Sequence, residues 1–316
     1  MLSFLNPLRI ESPPAVELMQ ERCLRRRLNT CNCQLCLDVC ASGALSFVDR
    51  QLQLDLKKCT GCMACGAVCP SEALVTQCDL EEVLRTSQES AGKRLVISCI
   101  RKKQLSVEEI AVPCLAIFAE ESLLALGMSK CSSIAFNLYG CSECENKEAA
   151  ARFLQTLRRV QGVAAEFLTA GFSVSEDMEL ERGEDTADRR SFLAGLRSSL
   201  ATFARDRLEF RATPQPKTSG RRIPVKVKII EKAIASADVE SQAHLLTLCT
   251  HQLSTSPSCT GCPLCTGICP TGALRIHGSG AEKKLLFIST RCSGCGLCVS
   301  FCKVAALSLS LSPLSG

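Results

Sequence analysis

Apolar and polar positions repeat along this chain in one local arrangement. Ala44-Leu45, Ala73-Leu74, Ala273-Leu274 and Ala306-Leu307 are four small–large pairs, each at the same offset after a cysteine. Such a pair is expected to pack a short helix against whatever the cysteines hold. Leu52, Leu54 and Leu56 alternate with polar residues, as do parts of Leu285 to Ile288, and alternation is the strand signal. Gly278 to Gly280 is a turn signal. Each of these units thus reads as hairpin strand, loop and short helix.

The centre of the chain follows a different pattern. Leu95 to Cys99 and Ile110 to Cys114 read as buried strands, with Pro113 at the end of the second because proline cannot donate to a ladder. Glu120 to Met128 has helical periodicity, Ser133 to Leu138 reads as a third strand, and Lys147 to Val160 is a helix striped by Ala149, Phe153, Leu157 and Val160. Strand, strand, helix, strand, helix predicts a small α/β layer with a mainly parallel sheet. Residues 172 to 190 turn acidic and read as a solvated linker. Ser191 to Leu208 reads as a helix, Thr213 to Gly220 as a second linker, and Val225 to Leu253 as helical. The expected class is α+β. Cysteine-rich modules at 1–78 and 250–316 flank an α/β domain at 79–170 and a charged, helical linker region at 171–249.

Composition brings in the chemistry. The chain has 24 cysteines in 316 residues, far above ordinary cytosolic usage, and a reducing compartment would keep them available for metal. Cys259, Cys262, Cys265 and Cys269 stand in C-x2-C-x2-C-x3-C-P. Cys59, Cys62, Cys65 and Cys69 repeat that spacing and end on Pro70. Cys292, Cys295, Cys298 and Cys302 repeat it with Lys303 in place of proline. Cys31, Cys33, Cys36 and Cys40 form a fourth, broken copy followed by Ala41. A cubane needs four thiolates converging on its corners and prefers sulfur to imidazole or carboxylate. Disulfides need an oxidising compartment, and no secretory signal is read here. Zinc sites usually show C-x2-C pairs rather than tight triplets.

These runs resemble the two-cluster bacterial ferredoxins over about residues 25–78 and 250–316. The resemblance implies two modules and four [4Fe–4S] clusters, with the last cysteine of each run serving the neighbouring cluster. Cys40 would then join Cys59, Cys62 and Cys65, and Cys69 would join Cys31, Cys33 and Cys36. Cys302 would join Cys259, Cys262 and Cys265, while Cys269 would join Cys292, Cys295 and Cys298. The first run departs from the family, because a regular run would begin at Thr30. A shift of one residue moves a thiol by about 3.5 Å. Ligation by Cys31 through a distorted loop is the expected outcome. The alternatives are that Cys23 reaches in and leaves Cys31 free, or that the cluster has a labile corner or three irons.

In the centre, Cys99, Cys114 and Cys141 each end a predicted strand, and Cys144 follows three residues on. Ligands bind at the carboxyl ends of parallel strands. Ending in Gly140-Cys141-x-x-Cys144, this pattern resembles the small iron–sulfur domain of the delta subunit of methyl-viologen-reducing hydrogenases. It is similar also to domains of heterodisulfide-reductase-type complexes. That resemblance, over about residues 93–165, implies a [2Fe–2S] cluster on Cys99, Cys114, Cys141 and Cys144. A free cysteine otherwise packs as a small core hydrophobe, and that is the expectation for Cys78, Cys131 and Cys249. His244 and His251 near Cys249 are read as flanking a core face rather than as ligands.

Other function classes find little support. The net charge is +5 with scattered basic residues, there is no tryptophan, and there is one tyrosine, which argues against nucleic acid. Arg221, Arg222, Lys226 and Lys228 read as solvated surface. The longest apolar candidate, Ile110 to Met128, is interrupted by Glu120 and Glu121, so no apolar run reaches the roughly 18 to 20 residues of a bilayer span. No phosphate-cradling or dinucleotide-binding glycine loop is present. The leading expectation is a multi-cluster electron-transfer protein of the cytoplasm, working between a redox donor and an acceptor within a larger hetero-oligomeric oxidoreductase. Two other classes stay open: an iron–sulfur-dependent regulator or assembly factor, and an enzyme with an active-site cluster in the middle domain.

Overall fold

A computed structural model describes residues 16–76, 78–101, 109–176, 221–278 and 283–315. The N-terminal module contains β1 (Glu17–Leu18), α1 (Leu24–Arg27), α2 (Leu35–Asp38), β2 (Leu45–Val48), β3 (Gln51–Leu54), α3 (Ala64–Val68) and β4 (Leu74–Val75). Strand β2 pairs antiparallel with β3, and β1 with β4. The C-terminal module repeats the plan. Strand β9 (Gln252–Thr255) pairs with β12 (Leu307–Ser310), and β10 (Leu274–His277) pairs with β11 (Lys284–Phe287). Its short helices are α9 (Leu264–Ile268) and α10 (Leu297–Phe301).

The four Ala-Leu pairs open strands, and each of those strands packs against the short helix of its own cysteine run. Each alanine is buried, and its carbonyl accepts an amide from the opposite half of its module. Ala44 accepts from Asp55, Ala73 from Met19, Ala273 from Ile288 and Ala306 from Ser256, all at 2.8–2.9 Å. Those bonds lie at the ends of the four strand pairs, and the leucines beside them lie in the core. Any larger side chain would push apart the two chains that meet there.

Between the modules lies a four-stranded sheet of order β6-β5-β7-β8, parallel throughout. Its strands are β5 (Arg94–Cys99), β6 (Glu109–Val112), β7 (Ser133–Asn137) and β8 (Gly171–Ser175). Helices α4 (Leu80–Glu89), α5 (Glu120–Gly127) and α6 (Lys147–Val163) cover it. Strand β8 lies beyond the expected domain boundary at 170, in what the sequence reads as linker. Helix α5 is buried all round from Ser122 to Gly127, with Leu123, Leu124 and Leu126 fully buried, as expected of a helix surrounded by packing partners. Phe118, Phe136 and Phe153 meet with ring centroids 5.1–6.4 Å apart. Burial of each such ring contributes about 1.5–3 kcal/mol.

Val225 to Leu253 is two helices and the start of a strand rather than one helical run. Helix α7 (Val225–Ser236) ends at Ala237, and α8 (Val239–Cys249) begins after Asp238, whose carboxylate accepts the Ser241 amide at 2.9 Å. Helix α7 packs against α5 and the 289–291 turn. It is pinned to the N-terminal module by Glu72, which accepts from Arg222 Nε at 2.9 Å and from the Val225 amide at 3.1 Å. Lys232 reaches Glu81 at 3.1 Å. Arg221 and Arg222, read as free surface, are thus docking residues, since Arg221 also donates to the Thr266 carbonyl at 3.0 Å. The Ser191–Leu208 helix, the Thr213–Gly220 linker and part of the Gly278–Gly280 turn lie outside the described residues. Among the described residues no helix is long and apolar enough to cross a membrane.

Candidate iron–sulfur sites

The short helices and the turns before them set the cysteines. In three runs the residue before the second cysteine is a glycine with φ near +66°: Gly61, Gly261 and Gly294. That left-handed conformation is open to glycine at little cost, and it folds C-x2-C tightly enough for both thiols to face one space. At Gly294 a side chain is excluded twice over, because a Cβ there would lie 2.6 Å from His251 Nε2. His251 is itself fixed, accepting the Ser312 amide on Nδ1 at 3.0 Å.

All 24 cysteines are unpaired thiols, and most lie partly or fully buried. Burial raises the thiol pKa because it disfavours the thiolate. It pushes Cys292 up to about 12, with Cys295, Cys298 and Cys269 adding to the rise. Cys298 goes to about 11, by burial and then by Cys295, Cys269 and Cys265. Cys65 is raised by burial and then by Cys62, Cys36, Cys40 and Cys59. Cys36 rises to about 12, by burial and then by Cys69, Cys33 and Cys23. Several of these neighbours belong to the crossed sets, while Cys36 beside Cys65 and Cys265 beside Cys298 link the paired sites. Cys40 sits with Cys59, Cys62 and Cys65; Cys69 with Cys33 and Cys36; Cys269 with Cys292, Cys295 and Cys298. In the last set, Cys259, Cys262, Cys265 and Cys302 line one cavity of about 200 Å³.

Grouped, buried thiols stay protonated on their own and ionise together only if something cationic lies among them. A cluster core fits that need, since a coordinating thiol is deprotonated outright. Backbone amides also point at the sulfurs. Leu297 acts on Cys295 and Gly294 on Cys292, while the Ala306 amide reaches Cys302 Sγ at 3.3 Å. Hydrogen bonds to ligating sulfur orient the ligand and tune the centre. Among the described residues no three His, Cys, Asp or Glu groups are placed to share a single ion. In a cubane each thiolate binds its own iron, so the set need not close on one point. The donor sets fit [4Fe–4S] clusters.

Five thiols surround the Cys69 end of the N-terminal module. Cys33 is influenced by Cys31, Cys69 and Cys23, and Cys23 is itself buried. Cys31 and Cys23 are therefore both close at hand to complete the broken run.

In the middle sheet the strand order reverses between β5 and β7, and the four central cysteines gather at the carboxyl end there. Cys99 ends β5, Cys114 follows β6, and Cys141 and Cys144 follow β7. Cys99 Sγ donates to the Pro113 carbonyl at 3.1 Å. Burial pushes Cys114 up to about 12, with Cys99, Cys62 and Cys141 contributing. It pushes Cys141 up to about 11, with Cys99, Cys144 and Glu176 contributing. The Arg101 and Asn146 amides reach Cys99 Sγ and Cys144 Sγ, each at 3.4 Å. The other cysteines behave as core. Cys131 donates to the Ser87 carbonyl at 3.1 Å. Burial, reinforced by Glu121, pushes Cys249 up to about 12. His244 is exposed beside Glu166, apart from His251.

Several side chains that the sequence did not single out tie the sites together. Arg101 pairs with Glu145 and donates to the Thr60 carbonyl, inside the Cys59–Cys62 loop. Asn146 donates to the same carbonyl at 3.4 Å, and Arg152 reaches the Asp38 carbonyl at 3.2 Å. Cys62 packs with Cys114 and Ala64. Cys31, Cys33 and Cys295 each pack against a buried cluster of Leu24, Leu28 and Leu297.

Residues 30–73 and 258–306 each match the family model of the 4Fe-4S dicluster domain. Neither a curated protein nor a solved structure matches the chain significantly.

Proposed function

From two 4Fe–4S dicluster domains, one toward each end of the chain, we propose that this iron–sulfur electron-transfer protein works as a single continuous relay. The observation that carries the proposal is the packing of cysteine loops from different parts of the chain against one another. Cys114 of the middle site lies against Cys62 of the N-terminal module. Cys65 feels Cys36 across that module. Cys31 and Cys33 pack on the cluster of Leu24, Leu28 and Leu297, on which Cys295 of the C-terminal module also packs, and Cys298 feels Cys265 across the last pair. The order along the relay is then the middle centre, the Cys40/Cys59/Cys62/Cys65 site, the Cys33/Cys36/Cys69 site, the Cys269/Cys292/Cys295/Cys298 site, and the Cys259/Cys262/Cys265/Cys302 site.

The bound clusters supply one-electron oxidation and reduction. The chain supplies thiolates, amide hydrogen bonds and fixed spacing. On this reading Cys99, Cys114, Cys141 and Cys144 hold a [2Fe–2S] cluster at the topological switch point of the sheet. A redox partner would meet each end. At the C-terminal end Cys262 is exposed, with Leu264 and Val304 exposed around the same cavity. Such a chain suits a subunit between donor and acceptor in a larger oxidoreductase. A regulator or an isolated catalytic cluster would leave the alignment of five sites without a reason.

Pulsed EPR on partially reduced anaerobic protein tests the order. The relay predicts magnetic coupling between the middle centre and the Cys62 cluster, and between clusters of the two modules. Signals that relax independently, module by module, would end it.

A further inference from the structure

We infer that Cys23, not Cys31, is the fourth ligand of the first [4Fe–4S] cluster, completing the set Cys23, Cys33, Cys36 and Cys69. The inference deepens the relay and rests on the iron–sulfur reading of the N-terminal module. The family match begins at residue 30 and so leaves Cys23 outside it.

The argument comes from the fourfold repetition of one backbone device. In each half-module an amide bonds to a buried alanine carbonyl across the pair of strands. The donors are Asp55, Ile288, Ser256 and Met19, on Ala44, Ala273, Ala306 and Ala73 respectively. The chain then makes one turn and presents its first ligand thiol. Cys59 is four residues beyond Asp55, Cys292 is four beyond Ile288, and Cys259 is three beyond Ser256. Counting four from Met19 reaches Cys23. Cys31 stands twelve residues on, beyond an added helix.

Local geometry agrees with the count. Cys292 closes the 3-10 turn Ser289–Arg291, its amide bonding to the Ser289 carbonyl at 3.0 Å. Cys23 closes the 3-10 turn Gln20–Arg22, its amide bonding to the Gln20 carbonyl at 3.1 Å. Their backbones match, at φ −77° and ψ 130° for Cys292 against φ −62° and ψ 129° for Cys23. The Cys292 sulfur takes an amide hydrogen bond from the residue two positions on, Gly294, and Cys23 takes one likewise from Arg25. Cys23 is 8% exposed, and it influences both Cys33 and Cys36.

The broken spacing also acquires a reason. In the three intact runs two residues separate the first and second thiols, and the second of these is a left-handed glycine. Asn32, before Cys33, does not adopt that conformation. Nine residues, 24–32, replace the two. Their helix α1 brings Leu24 and Leu28 against Leu297, Ile268 and Phe301 of the C-terminal module. The added segment therefore joins the two modules, and Cys31 is one of its residues packed on that leucine cluster.

The test compares Cys31→Ser and Cys23→Ser in the full chain, prepared anaerobically, by iron, acid-labile sulfide and EPR of the reduced and oxidised protein. Cys31→Ser is expected to keep the wild-type iron, sulfide and spectra. Cys23→Ser is expected to lose the signal of one cubane, about a quarter of the cubane complement, or to convert it to a three-iron signal, with the other centres retained. Loss of a cluster in Cys31→Ser, or a full complement in Cys23→Ser, would overturn the inference. If Cys23→Ser gives no folded protein, Cys31→Ser decides by itself: a full complement supports the assignment and a lost cubane refutes it. A wild-type sample without sulfide would instead refute the iron–sulfur reading as a whole.

Discussion

Glu72 is the side chain on which the joining of the modules most visibly depends. It follows Cys69-Pro70-Ser71, holds a left-handed φ of +54°, and is largely buried. Its carboxylate accepts from Arg222 Nε at 2.9 Å and the Val225 amide at 3.1 Å, with Arg22 at 3.7 Å. Val225 is the first residue of α7, so the carboxylate also meets the positive end of that helix. Arg22 is lowered in pKa by burial and then by Arg222, against which Glu72 acts to raise it. Removing the charge would leave two guanidiniums facing each other in a half-buried space. Glu72→Gln keeps the shape and one acceptor and removes the charge. A hydrogen bond to a charged group is worth about 1.5–3 kcal/mol, and solvent screening at the partly exposed Arg222 reduces that. The expected loss is about 2 kcal/mol of local stability at the α7 junction, or roughly 30-fold in the opening equilibrium, since each 1.4 kcal/mol is tenfold. Hydrogen exchange on anaerobic holoprotein reads this directly. Protection should fall by that factor in residues 225–236 and remain unchanged in β5 and β7. A change below about twofold would refute the role given to Glu72.

Further consequences follow for the sites. Cys302→Ser should perturb the cluster of Cys259, Cys262 and Cys265 in EPR and spare that of Cys292, Cys295 and Cys298; damage confined to the Cys292 loop would disprove the crossed wiring. Gly294→Ala forces a Cβ onto the His251 ring in a left-handed backbone. It should cost about 2 kcal/mol or more and shift or abolish the signal of that cluster, whereas Gly162→Ala, with open space at its Cβ, should leave it unchanged. Replacing Cys99 and Cys114 together by serine should remove a two-iron EPR signal and leave four cubane signals; an unaltered spectrum would make these four cysteines core residues.

The ligand runs were legible because cluster ligation is a local pattern, three thiols in seven residues. The strand-end cysteines of the middle sheet were legible because β5, β6 and β7 carry continuous apolar runs. Strand β8 was not, since Gly171 to Ser175 offers only Phe172 and Val174 before an acidic tract, and its pairing with β7 is a tertiary fact. Helix α4 was passed over because its buried face amounts to Val83 and Ser87. Helices α7 and α8 merged in the sequence because nothing at Ala237-Asp238 breaks the periodicity, and only the Asp238 cap reveals the boundary. The Ala-Leu pairs are legible as a repeat that packs the short helices, but the amide that each alanine carbonyl receives is not, since it comes from a distant part of the module. The place of Cys23 four residues beyond Met19 has meaning only once β1 is paired with β4, a register that no local pattern encodes.

The central claim is that the chain holds iron–sulfur clusters in both end modules, and metal and sulfide analysis combined with an EPR redox titration of anaerobically purified protein tests it most directly. The account predicts about four low-potential [4Fe–4S] clusters, with sulfide matching iron and reduced-state signals from both modules. Zinc with negligible acid-labile sulfide would contradict it.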